Sequence, residues 1–259
     1  MFEDSRDVLI AQALKFDGRW DLMYRAISRH EYPERQYFEQ IKTIKSKVVT
    51  MLDEDYPPFL NNVCHPPMVL FYYGDISLLG DYYKNISVVG SRECSDYGIE
   101  MTKRIVGDLS KKGYVIISGL AKGIDTIAHQ TAIQNGGKTI AILGSGIDYC
   151  YPFENRELYR YLKEKHLVIS EYPGHVEPDG YHFPIRNRII AGLSKTLIVA
   201  EAYPRSGSLV TASLALSMNA DVMCVPYPAG QKSQCNRLIM SGATLIENVD
   251  DVLNQMSRF

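Results

Sequence analysis

The sequence has no GxGxxG dinucleotide fingerprint: Gly144 and Gly146 are followed by Tyr149 where a third glycine would stand. No lysine follows a GxxxxG loop, which argues against P-loop ATP hydrolysis. There is no CxxC pair among Cys64, Cys94, Cys150, Cys224 and Cys235. Their number is odd, and 259 residues bury a full core without staples, so free thiols in a reducing cytoplasm are expected. The six histidines show no HxxxH or His–Cys spacing, so no metal and no cofactor is expected. Ser91, Ser118 and Ser206 lie outside any GxSxG, which leaves a hydrolase triad and a catalytic residue without support. No apolar run approaches the ~20 residues of a membrane span. The acidic start Met1-Phe2-Glu3-Asp4 is no signal peptide, so a cytoplasmic, membrane-free protein is expected. Net charge is −2, which excludes a polybasic chain but says nothing about a local basic patch.

What is present falls into three stretches. Residues 1–50 read as a small helical N-terminal segment, with apolar groups at Val8, Leu9 and Ala13 and at Leu22, Met23 and Ile27. Residues 51–67 read as an extended connector, because Pro57-Pro58 and Pro66-Pro67 oppose helix. From residue 68 to 259, short β-branched runs alternate with helical patterns. The runs include Ile86-Ser87-Val88-Val89, Thr139-Ile140-Ala141-Ile142-Leu143 and Thr196-Leu197-Ile198-Val199-Ala200. Near-continuous apolar strands are buried on both faces, as in a parallel sheet. Repeated βα units predict a doubly wound α/β fold with helices on both faces.

In such sheets ligands bind beyond the carboxyl ends of the strands. Gly90-Ser91-Arg92, Ser118 to Asp125, Gly144-Ser145-Gly146 and the stretch reaching Ser206-Gly207-Ser208 all follow apolar runs. Three of these loops lead into predicted helices, whose free N–H groups attract anions. Arg92, Lys122 and Arg205 add positive charge there. A tight turn explains any one such loop; their recurrence at one sheet edge predicts a phosphate-bearing ligand. In His182 to Leu193, Pro184 suits a first helical turn. Arg186, Asn187 and Arg188 could grip phosphates, and Tyr181 and Phe183 could stack on bases. The competing reading pairs one arginine with Glu171 or Glu201. His129 reads as a structural hydrogen-bonder and Asp125 as a cap or dipole partner.

These strings resemble the DNA-processing protein A (DprA/Smf) family from about Tyr56 to Asp251. They are Gly90-Ser91-Arg92 with Tyr97-Gly98, Ser118 to Asp125 with Ala128-His129, and Gly144-Ser145-Gly146 with Tyr151-Pro152. Ser170-Glu171-Tyr172-Pro173, Phe183 to Ser194 and Ser206 to Ala212 complete the set. The resemblance implies an extended Rossmann-type, mostly parallel sheet that dimerises and binds single-stranded DNA. It also implies loading of a RecA-type recombinase during natural transformation. By resemblance Arg92 and the Phe183–Arg188 stretch line a DNA pocket, with Lys122, Ser206, Gly207 and Ser208 as neighbours. Two departures stand out: Pro226-Tyr227-Pro228-Ala229-Gly230 replaces the family's Pro-Gly, and Cys235 replaces a glycine. The N-terminal segment resembles a reduced sterile-alpha-motif-like domain, and no winged helix is expected at the other end.

Two other functional classes compete. A Rossmann-type phosphoribohydrolase would carry an acid after the phosphate loop, where this sequence reads Leu209-Val210-Thr211-Ala212-Ser213. A pure protein scaffold would leave the strand-end arginines unexplained.

Overall fold

The computed structural model describes residues 4–257. The acidic start read at Met1–Glu3 lies outside them. Three helices open the chain: α1 (Ser5–Lys15), α2 (Trp20–Ser28) and α3 (Arg35–Ile41). Asp4 caps α1 by accepting from the Arg6 N–H. Then come β1 (Lys47–Thr50), β2 (Val69–Gly74), β3 (Asn85–Gly90), α4 (Asp96–Lys111), β4 (Val115–Ser118), α5 (Ile124–Gln134) and β5 (Lys138–Ile142). The chain continues through α6 (Arg156–Lys165), β6 (Leu167–Ser170), α7 (His182–Gly192), β7 (Thr196–Glu201) and α8 (Gly207–Ser217). It ends with β8 (Asp221–Cys224), α9 (Cys235–Met240), β9 (Thr244–Leu245) and α10 (Val249–Met256).

The strands form one sheet in the order β1-β2-β6-β5-β4-β3-β7-β8-β9. β1 pairs antiparallel with β2, and β2 with β6; every other pairing is parallel. The mostly parallel, doubly wound sheet expected from the sequence is therefore observed. Strand alternation divides the core. Leu70, Ile140, Ile142 and Ile169 face a large cluster that includes α4, α5 and α7 residues. Val69, Phe71, Ala141 and Val168 face a second, under α1 and α6. Leu9, Ile10 and Ala13 of α1 belong to that second cluster. The N-terminal helices thus cover one flank of the sheet.

Two local details differ from the sequence reading. β1 lies at the end of the stretch read as helical, because Val48-Val49-Thr50 is a β-branched run that finds β2 as partner. The stretch read as extended contains a 3-10 helix, Pro58–Asn62. Its first residue is proline, whose missing N–H is one that a helix start leaves unpaired anyway.

The winding reverses at β3: β4, β5 and β6 run to one side, β7, β8 and β9 to the other. The loops leaving β3 and β7 diverge there and open a crevice, the usual ligand position in such sheets.

Candidate nucleic-acid interface

A cavity of about 620 Å³ occupies that crevice. The Gly90-Ser91-Arg92 loop, the Ala121–Asp125 loop, the first half of α7 and Ser206-Gly207-Ser208 all line it. The N-termini of α5, α7 and α8 converge there, and the positive end of each helix dipole favours an anion.

Backbone conformation makes the convergence possible. Gly123 has φ +77° and ψ −129°, a region open in practice to glycine alone. A Cβ at Gly123 would stand 2.3 Å from the Ser91 carbonyl oxygen and 2.7 Å from that of Arg92. Glycine is therefore the residue that lets the β4–α5 loop touch the β3 loop. The Ile124 N–H then donates to the Ser91 carbonyl at 3.1 Å.

Arg186 is buried in the cavity wall. Its guanidinium donates to the carbonyl oxygens of Gly119, at 2.8 Å, and of Ile142. Asp125 is its counter-charge. Burial pulls Arg186 down to about 10, which leaves it cationic at neutral pH. Burial likewise pushes the Asp125 carboxyl upward, against the pull of Arg186 and the loop N–H groups. Asp125 accepts from the N–H groups of Gly119 at 3.1 Å and Ala121 at 3.3 Å. It holds the loop rather than capping the helix; the cap position is Gly123.

Arg92 is exposed and lies over the Phe183 ring, 5.2 Å from its centroid. Tyr151 flanks the same ring at 5.5 Å. Asn187 donates to the Gly207 carbonyl at 3.3 Å and so ties α7 to the α8 entrance. The Ser206 and Ser208 hydroxyls share a 2.8 Å hydrogen bond at that entrance.

Of the residues singled out from the sequence, Gly90, Ser91, Arg92, Phe183, Arg186, Asn187, Ser206, Gly207 and Ser208 line this one cavity. Two fall elsewhere. Lys122 lines a neighbouring cavity and forms an exposed ion pair with Glu154 at 2.5 Å. Arg188 is buried and bidentate on Glu171, with both contacts at 2.6 Å. The competing reading of one arginine thus describes Arg188. The reason is helical geometry: positions 186 and 188 are two apart and point to nearly opposite sides of α7. Tyr181 is 72% exposed and lies outside the cavity lining. Sequence reasoning did not assign Tyr151, Tyr203 or Glu93 to the site, although all three line it. The Tyr151-Pro152 string was the available signal for the first. His129 bonds Thr139 Oγ1 through Nδ1 at 2.6 Å inside the core, as a structural histidine does.

A family model described as DNA recombination-mediator protein A matches residues 47–257. The chain belongs to this family. The DNA processing protein DprA of Streptococcus pneumoniae is 46% identical over 206 residues, covering 79% of this chain and 72% of that protein. The X-ray structure of DprA from the same organism superposes with a TM-score of 0.81 at 38% identity. It covers 96% of this chain and 92% of its own. A Helicobacter pylori DNA processing protein A structure, described for its single-stranded DNA binding mode, gives 0.74 at 28% identity. That match covers 83% of this chain and 97% of the other. Protein Smf of Synechocystis is 40% identical over 84% of this chain, which spans 56% of that longer relative. The fold and the family's DNA-processing, recombination-mediator role thus stand on sequence and structure together. Among the described residues no helix is long and apolar enough to cross a membrane.

Proposed function

We propose that this chain binds single-stranded DNA in the crevice between β3 and β7 and delivers it to a RecA-type recombinase during DNA uptake. The observation that carries the reading is the convergence of three helix N-termini, Arg92 and Arg186 around one open cavity. A backbone phosphate fits that chemistry: cations and helix N-termini surround an open cavity of about 620 Å³, with Phe183 in its wall to stack on an unpaired base. Gly90, Ser91, Arg92, Asn187, Ser206, Gly207 and Ser208 are proposed to contact the sugar-phosphate chain, and Phe183 a base. Lys122 is proposed as a neighbouring contact, free to exchange Glu154 for phosphate because an exposed pair holds it weakly.

The reading is one of binding rather than catalysis. Asp125, the buried carboxylate in the lining, accepts from two loop N–H groups, which gives it a structural task in holding the loop.

A second copy of the chain is a further proposed partner. Met240 is 87% exposed at the end of α9, and Leu245 is exposed on the edge strand β9. Two such edges brought together would cover both.

The test is fluorescence anisotropy of a labelled oligonucleotide, single-stranded and duplex, at two salt concentrations. Salt-sensitive binding to the single strand and weak binding to the duplex is the expected result. Binding to neither would sink the reading and favour a small nucleotide ligand.

A further inference from the structure

The N-terminal helices reach α7 indirectly, through the connector and the residues that follow β6. The turn between α1 and α2 presses on the end of β6. Gly18 has φ +74°, and a Cβ there would stand 2.3 Å from the Glu171 carbonyl oxygen. The Trp20 indole donates to the Pro66 carbonyl at 2.8 Å, and its ring centroid lies 4.3 Å from that of His65. The His65 carbonyl in turn accepts from Arg188 Nε at 2.9 Å. Arg188 and Glu171 are 5% and 6% exposed and face each other in the bidentate pair. Tyr172, beside Glu171, stacks on His182 at 4.1 Å, and His182 opens α7. Further along, Gly192 packs so closely on Val63 that a Cβ there would stand 2.2 Å from it.

These contacts lead to α7 through Glu171 and His65, both of which bond Arg188, and α7 carries Phe183, Arg186 and Asn187 into the cavity. None of Gly18, Trp20, His65, Glu171 and Arg188 lines it. We propose that Arg188 is a positioning residue rather than a DNA ligand, and that Glu171, His65 and Trp20 join it to couple the N-terminal helices to the DNA pocket. The inference rests on the single-strand reading above. The physical reason is that a buried bidentate ion pair has one good geometry, so it sets the angle at which α7 meets the sheet. A shift of α7 moves three cavity groups at once.

The sign of one substitution separates positioning from electrostatics. Glu171→Gln removes a negative charge near the DNA, so a purely electrostatic role predicts tighter binding. A positioning role predicts weaker binding, by a factor between about two and thirty. The measurement is anisotropy of a labelled oligothymidine with the full chain, with circular dichroism to check folding. Equal or tighter binding by folded Glu171→Gln overturns the proposal.

If that variant fails to fold, Gly18→Ala takes its place. It lies in the buried turn between α1 and α2 and pushes on the Glu171 backbone carbonyl, and unchanged affinity there is equally fatal. Trp20 is the single tryptophan of the chain, which provides a second readout. Saturating oligothymidine is expected to change its emission in the wild type, and the titration of that change is expected to shift to higher concentration in the weaker-binding Arg92→Ala variant. Constant emission in the wild type at saturation overturns the coupling. Failure of the wild type to bind at all overturns the single-strand reading itself, and the proposal with it.

Discussion

Arg92 and Arg186 share one cavity but stand in different physical situations, so their substitutions should separate. Arg92 is exposed, with its guanidinium lying over the Phe183 ring. Arg92→Ala is expected to lower single-strand affinity by about 1.5–3 kcal/mol, the range for a charged hydrogen bond. Its melting temperature should stay close to the wild type. Arg186 is buried between the loop carbonyls and Asp125. Arg186→Ala leaves the buried Gly119 and Ile142 carbonyls without their guanidinium donor, at a cost of about 1–3 kcal/mol of folding stability. Urea denaturation followed by circular dichroism checks this; an Arg186→Ala midpoint equal to that of the wild type would show that the guanidinium does not brace the two carbonyls. Both arginines were legible as charge at a strand end or helix start. Which of them is a strut was not, because local sequence carries no information on which carboxylate will face a side chain.

At the scale of elements, the site is assembled by loops that touch rather than by any one motif. Gly123 is where the β4–α5 loop meets the β3 loop, and the approach leaves no room for a side chain. Gly123→Ala combines a forbidden φ with a clash against backbone, so it should destabilise the fold by about 1–3 kcal/mol. It should also displace the Gly90-Ser91-Arg92 loop and weaken DNA binding beyond what the stability loss explains. Thermal melting and anisotropy on the same preparation check both effects. An alanine variant with wild-type affinity would show that the two loops bind independently. The strands were readable because each is an apolar run buried on both faces. β1 was not, since four residues at the margin of a helical stretch become a strand only when β2 offers its edge.

For the whole molecule, acid should act through buried imidazoles. His129 is held down at about 3 by burial, against an ordinary value of 6.5. As pH falls, the unfolded chain therefore takes up this proton before the folded chain does. The contribution is complete above about pH 6.5 and is lost progressively toward about pH 3. By about pH 5 the loss from His129 amounts to roughly 2 kcal/mol. His166, lowered to about 4 by burial, adds in the same direction. Urea midpoints measured from about pH 7 down to about pH 5 should fall; a flat profile would mean that His129 is not buried neutral. Assembly is a second property at this scale. If β9 edges pair as proposed, Met240→Glu is expected to shift the chain toward monomer in sedimentation velocity, because an unpaired carboxylate costs more to bury in an apolar contact than a neutral polar group, which itself costs about 1–3 kcal/mol. An unchanged sedimentation coefficient would move the proposed contact away from β9.

By itself the sequence determined the class of fold and the family. Periodicity of apolar residues is a local property that survives in one dimension, and so are glycine-rich strings of the kind seen at Gly90, Ser118 and Ser206. It also determined that a phosphate-bearing ligand was to be sought at the strand ends. Tertiary structure decided which strand ends meet. It put the β3 and β7 loops side by side at the reversal of winding, turned Arg186 into the cavity wall and turned Arg188 away onto Glu171. It also brought the turn between α1 and α2 against Glu171, and Trp20 against the connector that Arg188 holds. Those outcomes depend on contacts between residues far apart in the chain, such as the 123 positions between His65 and Arg188. Sequence spacing does not encode them; packing of the sheet and its helices does.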